Sequence, residues 1–178
     1  MAEGTKQETG VQYPAESDIW PLLHETFDLM SRARENELRQ FGISTIQSAV
    51  LFMVKNSTVP VTPSSISRCL IRQPHAVSRL LDRMERNGLV KKVKDLERQN
   101  LIRVTLTEKG EAVYRRSREN RKVIPEILSL LSQEDQRKLA TYLQLLRDES
   151  LKVLREPHPP PFEWYHGPKR DPDQLVCF

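Results

Sequence analysis

Hydrophobic residues repeat at two different periods within one short segment in the middle of the chain. The first repeat has the i, i+3, i+4, i+7 spacing of a helix with one buried face, and it comprises Val77, Leu80, Leu81 and Met84. Pro74 suits the first helical position, and Gly88 suits the left-handed residue that follows a helix end. This pattern predicts a helix from Pro74 to about Asn87. Its opposite face is polar and carries His75, Arg79, Asp82 and Arg86.

After this helix the hydrophobic period changes from 3.6 to 2, which indicates β-strands. The apolar residues before the turn are Leu89, Val90 and Val93, and those after it are Ile102, Val104 and Leu106. Between them lies the charged run KDLERQN at 94–100. The segment from about 89 to 106 is therefore predicted to form a two-stranded hairpin with a charged tip.

A shorter helix is predicted directly before the polar-faced one. Thr62 and Pro63 have the form of a cap followed by a first-turn proline, and Gln73 is kept out of helical conformation by the proline after it. The apolar positions expected to face inward are Ile66, Leu70 and Ile71. Helix, tight turn, helix and hairpin in this order predict a winged helix-turn-helix, whose second helix enters the major groove of DNA.

Long amphipathic segments flank this unit. A first helix is predicted over 18–41, capped by Asp18 and roughly 35 Å long, which suggests that it packs against more than its own domain. Ser44 and Gln47 have the spacing of a capping box before an apolar helix that should lie centrally. The predicted fold class is thus mainly α with a small β-hairpin.

Helical patterns also follow the hairpin. Thr107 is predicted to cap a helix, and Pro125 is expected to kink or break it, at a cost of about 3 kcal/mol that packing must offset. Ser132 suits the start of a last long amphipathic helix. Its apolar face comprises Leu139, Leu143, Leu146, Val153 and Leu154, with Tyr142 beside them.

Positive charge is concentrated on the predicted helix-turn-helix and hairpin. The chain carries a net charge of +4, but residues 62–110 contain eleven Lys or Arg and five Asp or Glu, a local charge of +6, so the remainder carries −2. A basic run alone is usually just a solvated face. Because this basic stretch coincides with the predicted helix-turn-helix and hairpin, it indicates a surface that binds phosphates of nucleic acid.

The sequence also limits the compartment and the chemistry. It has no apolar run of about 18 residues that could span a membrane, and its N-terminus does not resemble a signal peptide. Cys69 and Cys177 fit a reducing compartment, so we expect a cytoplasmic protein. The sequence shows no paired nucleophile and base, no glycine-rich phosphate loop and no metal-ligand spacing. This argues against an enzyme, a cofactor or a metal site. His158 and His166 are the one weak grouping of histidines.

The run RLLDRMERNGLV from Arg79, followed by a hairpin and by LTEKG at 106–110, resembles the MarR (multiple antibiotic resistance regulator) family over roughly 18–154. The wing tip differs from that family. Counted back from Leu106, the positions of the family's usual acidic-basic wing tip are occupied here by Arg98, Gln99 and Asn100. The KDLERQN tip is similar to members of the family from organohalide-respiring bacteria.

The resemblance implies a sequence-specific transcriptional regulator, most often a repressor, that binds an operator as a homodimer. The domain organisation is then an arm at 1–17, a MarR-like domain at 18–154, and a Pro- and aromatic-rich tail at 155–178. Segments 18–41 and 108–154 would form dimerisation helices, and 44–107 the winged helix-turn-helix. Recognition helices about 34 Å apart would require half-sites about 10 bp apart. The alternatives are a monomer with a large bundle, and a winged helix that binds protein or coats DNA without sequence preference.

Twelve residues are candidates for contacts with DNA. The start of the recognition helix should read base edges, and Arg79 could bind guanine O6 and N7. Arg72 and Arg83 are better placed for phosphates, and Ser64 and Ser65 offer hydroxyl and N–H groups. Arg98 at the wing tip suits the minor groove. The full set is Ser64, Ser65, Arg72, Gln73, His75, Ala76, Ser78, Arg79, Arg83, Lys92, Lys94 and Arg98.

The family commonly binds small aromatic or anionic ligands between the dimerisation helices and the DNA-binding lobe. The residues that could line such an effector pocket here are Trp20, His24, Phe27, Arg34 and Phe52. For the apolar members of this set, a plain hydrophobic core is the favoured alternative. A redox switch at Cys69 is a further alternative, but its apolar surroundings favour a buried, unreactive thiol.

Overall fold

The computed structural model describes residues 16–94 and 101–154, with side chains from Asp18 onward. This part of the chain contains seven helices and one two-stranded antiparallel sheet. In chain order they are α1 (Glu16–Arg39), α2 (Thr45–Asn56), α3 (Pro63–Cys69), α4 (Pro74–Arg86), β1 (Val90–Lys94), β2 (Ile102–Leu106), α5 (Glu108–Glu119), α6 (Val123–Leu128) and α7 (Gln133–Leu154). The predicted fold class is confirmed, and the predictions for the N-terminal arm, the C-terminal tail and the wing tip fall largely outside the described residues.

The first two helices meet at a short corner. α1 ends at Arg39, two residues before its predicted end, and Gly42 then adopts a positive φ of 68° that few other residues tolerate. The predicted capping box of α2 is present, because the Ser44 side chain accepts a hydrogen bond from the Gln47 backbone N–H and the Gln47 side chain accepts one from the Ser44 N–H. The apolar residues of α2 lie at the centre of the core, as predicted, with Val50, Leu51 and Met53 buried.

The helix-turn-helix consists of α3, a tight turn and α4. Thr62 caps α3 and forms a reciprocal capping box with Ser65. The turn is held by the Ser67 hydroxyl, which donates to the Arg72 carbonyl at 2.5 Å. The inward orientation predicted for Ile71 is wrong: this residue has a φ of 49° and is 50% exposed, since the turn takes the chain through a left-handed conformation. Gln73 is extended, as the proline after it requires.

The hairpin lies directly after α4 and is fixed in register by five residue pairs from Val90↔Leu106 to Lys94↔Ile102. Gly88 has the predicted positive φ, at 70°, and turns the chain from helix to strand. Along the outer edge of β2, the Val104 N–H donates to the Val61 carbonyl at 2.8 Å. This bond ties the hairpin to the loop before α3.

The helix after the wing breaks earlier than predicted. α5 stops at Glu119, and α6 starts at Val123, so Pro125 lies in the first turn of a new helix. N–H groups in a first turn have no partner within the helix, so the proline there avoids the cost expected for a helix interior. The first N–H groups of α6 bind the Glu37 carboxylate instead, at 2.6 Å for Lys122 and 3.0 Å for Val123.

The two longest helices leave most of their apolar side chains in water. In α7 a single residue, Leu151, is buried, although the helix spans 22 residues. Ser132 caps it as predicted, accepting a hydrogen bond from the Asp135 N–H at 3.1 Å. The large hydrophobic residues exposed on α1 and α7 are Ile19, Trp20, Leu22, Leu23, Phe27, Leu29, Leu139, Tyr142, Leu143, Leu145, Leu146, Val153 and Leu154. Within the described ranges no helix has the length and hydropathy needed to cross a membrane.

Candidate nucleic-acid interface and effector cavity

The recognition helix α4 separates its apolar and polar residues sharply. Val77, Leu80, Leu81 and Met84 are buried in the core, as the sequence period predicts. The predicted base-reading residues at the other face are exposed, except Ala76, which is half-buried. Gln73, His75, Ser78 and Arg79 therefore lie together at the exposed start of the helix. Hydrogen-bond donors in this position can reach base edges when the helix enters a major groove.

Three arginines surround a shallow hollow beside this face. The hollow has a volume of about 390 Å³, and Arg72, Arg79 and Arg83 line it together with Ile46 and Leu80. All three arginine side chains belong to exposed residues. Convergent guanidinium groups on an exposed surface suit phosphate oxygens, because each can donate two parallel hydrogen bonds.

The two candidate serines at the start of α3 differ in environment. Ser64 is exposed, and its hydroxyl is accessible beside the helix N-terminus. Ser65 is buried, and its hydroxyl donates to the Thr62 carbonyl at 2.8 Å while accepting from the Thr62 N–H at 2.9 Å. Ser65 therefore contributes to capping α3, which leaves Ser64 as the serine that can face DNA.

The candidate lysines of the wing also differ. Lys94 is exposed. The Lys92 ammonium lies 2.5 Å from the Asp82 carboxylate and 3.1 Å from that of Glu85. These hydrogen bonds, first that to Asp82 and then that to Glu85, raise the pKa of Lys92 above its ordinary value. Arg98 lies outside the described residues.

The LTEKG segment joins the wing to α5. The Thr107 hydroxyl accepts from the Gly110 N–H at 3.0 Å and donates to the Gly88 carbonyl, so one side chain caps α5 and holds the end of the recognition helix. Gly110 is buried against the backbone of Leu89, and a Cβ at position 110 would lie 1.9 Å from the Leu89 carbonyl oxygen. The glycine in this motif is thus required by a close backbone approach, which its spacing in the sequence alone did not reveal.

A second site lies between α1, α2 and the start of α6. It is a cavity of about 310 Å³ with mostly apolar walls, and its lining includes Phe27, Arg34, Phe52, Arg118 and Ile124. This volume falls at the lower end of the range for small-molecule pockets. Three of the five predicted pocket residues are thus brought together here, and Arg118 is a lining residue that the sequence analysis missed. Trp20 and His24 are exposed on α1 and do not line the cavity.

Two guanidinium groups lie beside this apolar cavity. The Arg118 guanidinium lies 5.1 Å from the centre of the Phe52 ring, a cation–π distance. Arg34 is buried and pairs with Glu37, whose other carboxylate oxygen caps α6. Burial alone would raise the pKa of Glu37, but the hydrogen bonds from Lys122, Val123 and Arg34 outweigh it and lower that pKa below 4.5.

Cys69 belongs to the core and not to either site. Its side chain is buried, and burial raises the pKa of its thiol, which lowers the fraction of reactive thiolate. Among the described residues no three His, Cys, Asp or Glu side chains are grouped as metal ligands would be.

Comparison with solved structures finds transcriptional regulators. The organohalide-sensing RdhR regulator is 27% identical to this chain, with a TM-score of 0.69 over 82% of this chain and 91% of that one. It has also been solved with 2,4-dichlorophenol bound. A MarR mutant from E. coli, complexed with operator DNA, is 21% identical, with a TM-score of 0.66 over 75% of this chain and 99% of that one. The S. aureus MepR–DNA complex is 21% identical, with a TM-score of 0.64 over 77% and 99%.

No protein-family model matches the sequence. No curated protein matches it either.

Proposed function

Because this chain has the winged helix-turn-helix fold of MarR-family regulators, we propose that it is a sequence-specific transcriptional regulator that binds a pseudo-palindromic operator as a homodimer. One observation carries the proposal: the recognition helix buries its whole apolar stripe and exposes donors at its N-terminal end. A helix used only for packing or for protein contact has no need of such a cluster of base-reading side chains.

The exposed apolar faces of α1 and α7 support the homodimer. Leu143 and Leu146 are about half exposed on α7, and Phe27 is 67% exposed on α1. Each fully buried leucine or phenylalanine stabilises a protein by about 1.5–3 kcal/mol, so a face of this extent favours a partner that covers it. A second copy presents the same face, and a two-fold axis would then set two recognition helices side by side for one duplex.

Within this proposal the DNA-facing residues have different roles. Arg79, His75 and Gln73 read base edges, whereas Arg72 and Arg83 bind phosphates around the hollow that they line. Ser64 adds a backbone contact at the start of α3. Lys94 and, at the tip, Arg98 supply the wing's contacts with the backbone or minor groove.

The cavity supports regulation by a small aromatic ligand. Its apolar walls suit an aromatic ring, and the Arg118 guanidinium suits an oxygen substituent on that ring, whereas the charge of Arg34 is balanced by Glu37. RdhR, similar over most of this chain, has been solved with a dichlorophenol. We propose that a ligand of this class shifts the protein between states that bind the operator with different affinity, with repression relieved when the ligand is bound.

Titration of the protein with 2,4-dichlorophenol tests the cavity. Arg118→Met should weaken binding, because it removes a guanidinium group that can donate hydrogen bonds to the phenol oxygen. Arg116→Met is the matched control, since Arg116 lies over the Phe41 ring at 5.9 Å but does not line the cavity. Equal loss in both variants would contradict this assignment.

Selection of duplexes from a random-sequence pool tests the function itself. The protein should enrich a pseudo-palindrome with half-sites about 10 bp apart, and a footprint on the DNA upstream of its own coding sequence should show the same element. A pool that remains unenriched would favour the alternative, a winged helix that coats DNA or binds protein.

A further inference from the structure

A cluster of three charged side chains joins the wing, formed by β1 and β2, to the recognition helix α4. Asp82 and Glu85 lie one turn apart on α4, and the Lys92 ammonium on β1 is within ion-pair distance of both carboxylates. The Lys92 side chain is only 28% exposed, because the strand holds it against the helix. Lys94, two residues further along the strand, is exposed and makes no ion pair with any residue described here.

The backbone at the same position strengthens this attachment. The Lys92 N–H donates to the Glu85 carboxylate at 2.9 Å, and Lys92 is paired across the hairpin with Val104, whose own N–H donates to Val61 at 2.8 Å. Alternate pairs in an antiparallel ladder direct their N–H groups away from each other. This pair therefore anchors the hairpin on both edges, to α4 through Glu85 and to the loop before α3 through Val61.

We propose that Lys92 is a positioning residue of the DNA-binding surface, which fixes the wing relative to the recognition helix through Asp82 and Glu85 instead of binding a phosphate. The proposal rests on the proposed function and changes the role predicted for Lys92. Its ammonium also offsets part of the negative charge of Asp82 and Glu85, which would otherwise repel the DNA backbone beside the major groove.

The electrostatics of the group agree with this geometry. The backbone hydrogen bond from Lys92, followed by that from its ammonium, lowers the pKa of Glu85, and the pKa of Lys92 is raised. Both shifts favour the charged forms of Glu85 and Lys92. A phosphate would have to compete with two carboxylates for an ammonium that already donates to both.

A double-mutant cycle separates the two roles of Lys92. Binding is measured for a duplex that the wild-type protein selects from a random pool and for a scrambled duplex of the same composition. Lys92→Met is made in the wild-type chain and in the Asp82→Asn/Glu85→Gln background, and Lys94→Met is made in both as the matched control. Lys92→Arg serves as the conservative variant.

A positioning role predicts strong coupling. Lys92→Met should weaken binding of the selected duplex about tenfold in the wild-type chain and less than about twofold in the neutralised background, because the ion pairs of Lys92 are already absent there. Binding to the scrambled duplex should change less, and Lys92→Arg should retain most of the affinity. Lys94→Met should cost the same in both backgrounds.

A phosphate contact predicts the opposite pattern. Lys92→Met would then weaken both duplexes equally, and its cost would persist or increase once the carboxylates are neutralised. That result, or an unchanged affinity of Lys92→Met in the wild-type chain, would overturn the proposal.

Hydrogen exchange of the free protein tests the attachment without DNA. The amide at position 92 should exchange about tenfold faster in Lys92→Met and in Glu85→Ala than in the wild-type chain, and Lys94→Met should leave it unchanged. Equal protection in all variants would show that the side chains do not hold the wing. A chain that fails to discriminate the two duplexes but shows these exchange differences would refute the proposed function alone.

Discussion

At the scale of single residues, the proposed DNA-binding surface contains both exposed polar side chains and polar side chains that are bonded within the protein. Arg79 is exposed at the start of α4, whereas Ser65 and Lys92 use their polar atoms within the protein. The exposure of Arg79 was predicted from its residue type and its position in the helix. The partner of Ser65 is Thr62, only three residues away. The carboxylate partners of Lys92 lie on α4, and the sequence neighbours of Lys92 gave no sign of them.

Arg79→Ala should abolish much of the sequence discrimination. A bidentate contact between an arginine and guanine contributes about 1–3 kcal/mol, so the ratio of specific to non-specific affinity should fall by about 5- to 150-fold. Competition binding with selected and scrambled duplexes measures this ratio. Arg86→Ala, which removes the same charge from the other end of α4, should lower both affinities alike, and an unchanged ratio for Arg79→Ala would contradict the proposed geometry.

Glu37 gives the second prediction at this scale. Its folded-state pKa is lowered, so its contribution to stability is fully present above the unfolded value of about 4.5 and is lost as pH falls through the lower folded value. Glu37→Gln should lower the free energy of unfolding by about 1–3 kcal/mol at pH 7, and the difference from wild type should shrink in acid. Urea unfolding between pH 7 and pH 3 measures this.

Glu119→Gln is the control for this pH series, because Glu119 is an exposed carboxylate at the end of α5. It should leave both the stability and its pH dependence near those of wild type. A Glu37→Gln profile parallel to the wild-type profile would show that Glu37 carries no such contribution.

At the scale of elements, local sequence signals located most of the structure. The capping box at Ser44, the cap at Thr62, the proline at position 74 and the glycine at position 88 are local signals, and each was found where the sequence predicted it. The reciprocal hydrogen bond from Thr62 to the Ser65 side chain was not predicted. The break between α5 and α6 was predicted at Pro125 but lies before it. It depends on Glu37, which is 85 residues away along the chain and provides the cap that local sequence lacks.

Gly110→Ala tests the junction between the wing and α5. The added Cβ would lie 1.9 Å from the Leu89 carbonyl oxygen, so α5 must shift away from the end of the recognition helix. We expect a loss of about 1–3 kcal/mol in the free energy of unfolding. Gly42→Ala is the control: it meets no atom within 4 Å and should cost only about 1 kcal/mol for its positive φ. Equal losses would contradict the steric explanation.

At the scale of the whole molecule, the exposed apolar faces of α1 and α7 are the observation that supports the proposed homodimer. Periodicity predicted these amphipathic helices, but only the folded structure shows that α7 has a single buried residue. Packing among residues 16–94 and 101–154 therefore leaves the apolar face of α7 exposed, and the proposed association with a second copy would bury it.

Leu143→Glu should separate the homodimer, because it places a charge in the middle of the apolar face of α7. A carboxylate buried without a partner costs several kcal/mol, which would raise the dissociation constant of the dimer by a factor of at least about 100. Gln144→Glu adds the same charge on a different side of the helix and should leave the dimer intact. Sedimentation velocity over a range of concentrations distinguishes the two.

The number of chains on one operator tests the central claim most directly. Sedimentation equilibrium of the wild-type protein with its selected duplex should give a complex of two chains per duplex, and the same complex should survive an excess of scrambled DNA. One chain per duplex, or a complex that scrambled DNA displaces as readily as the selected sequence does, would contradict the account.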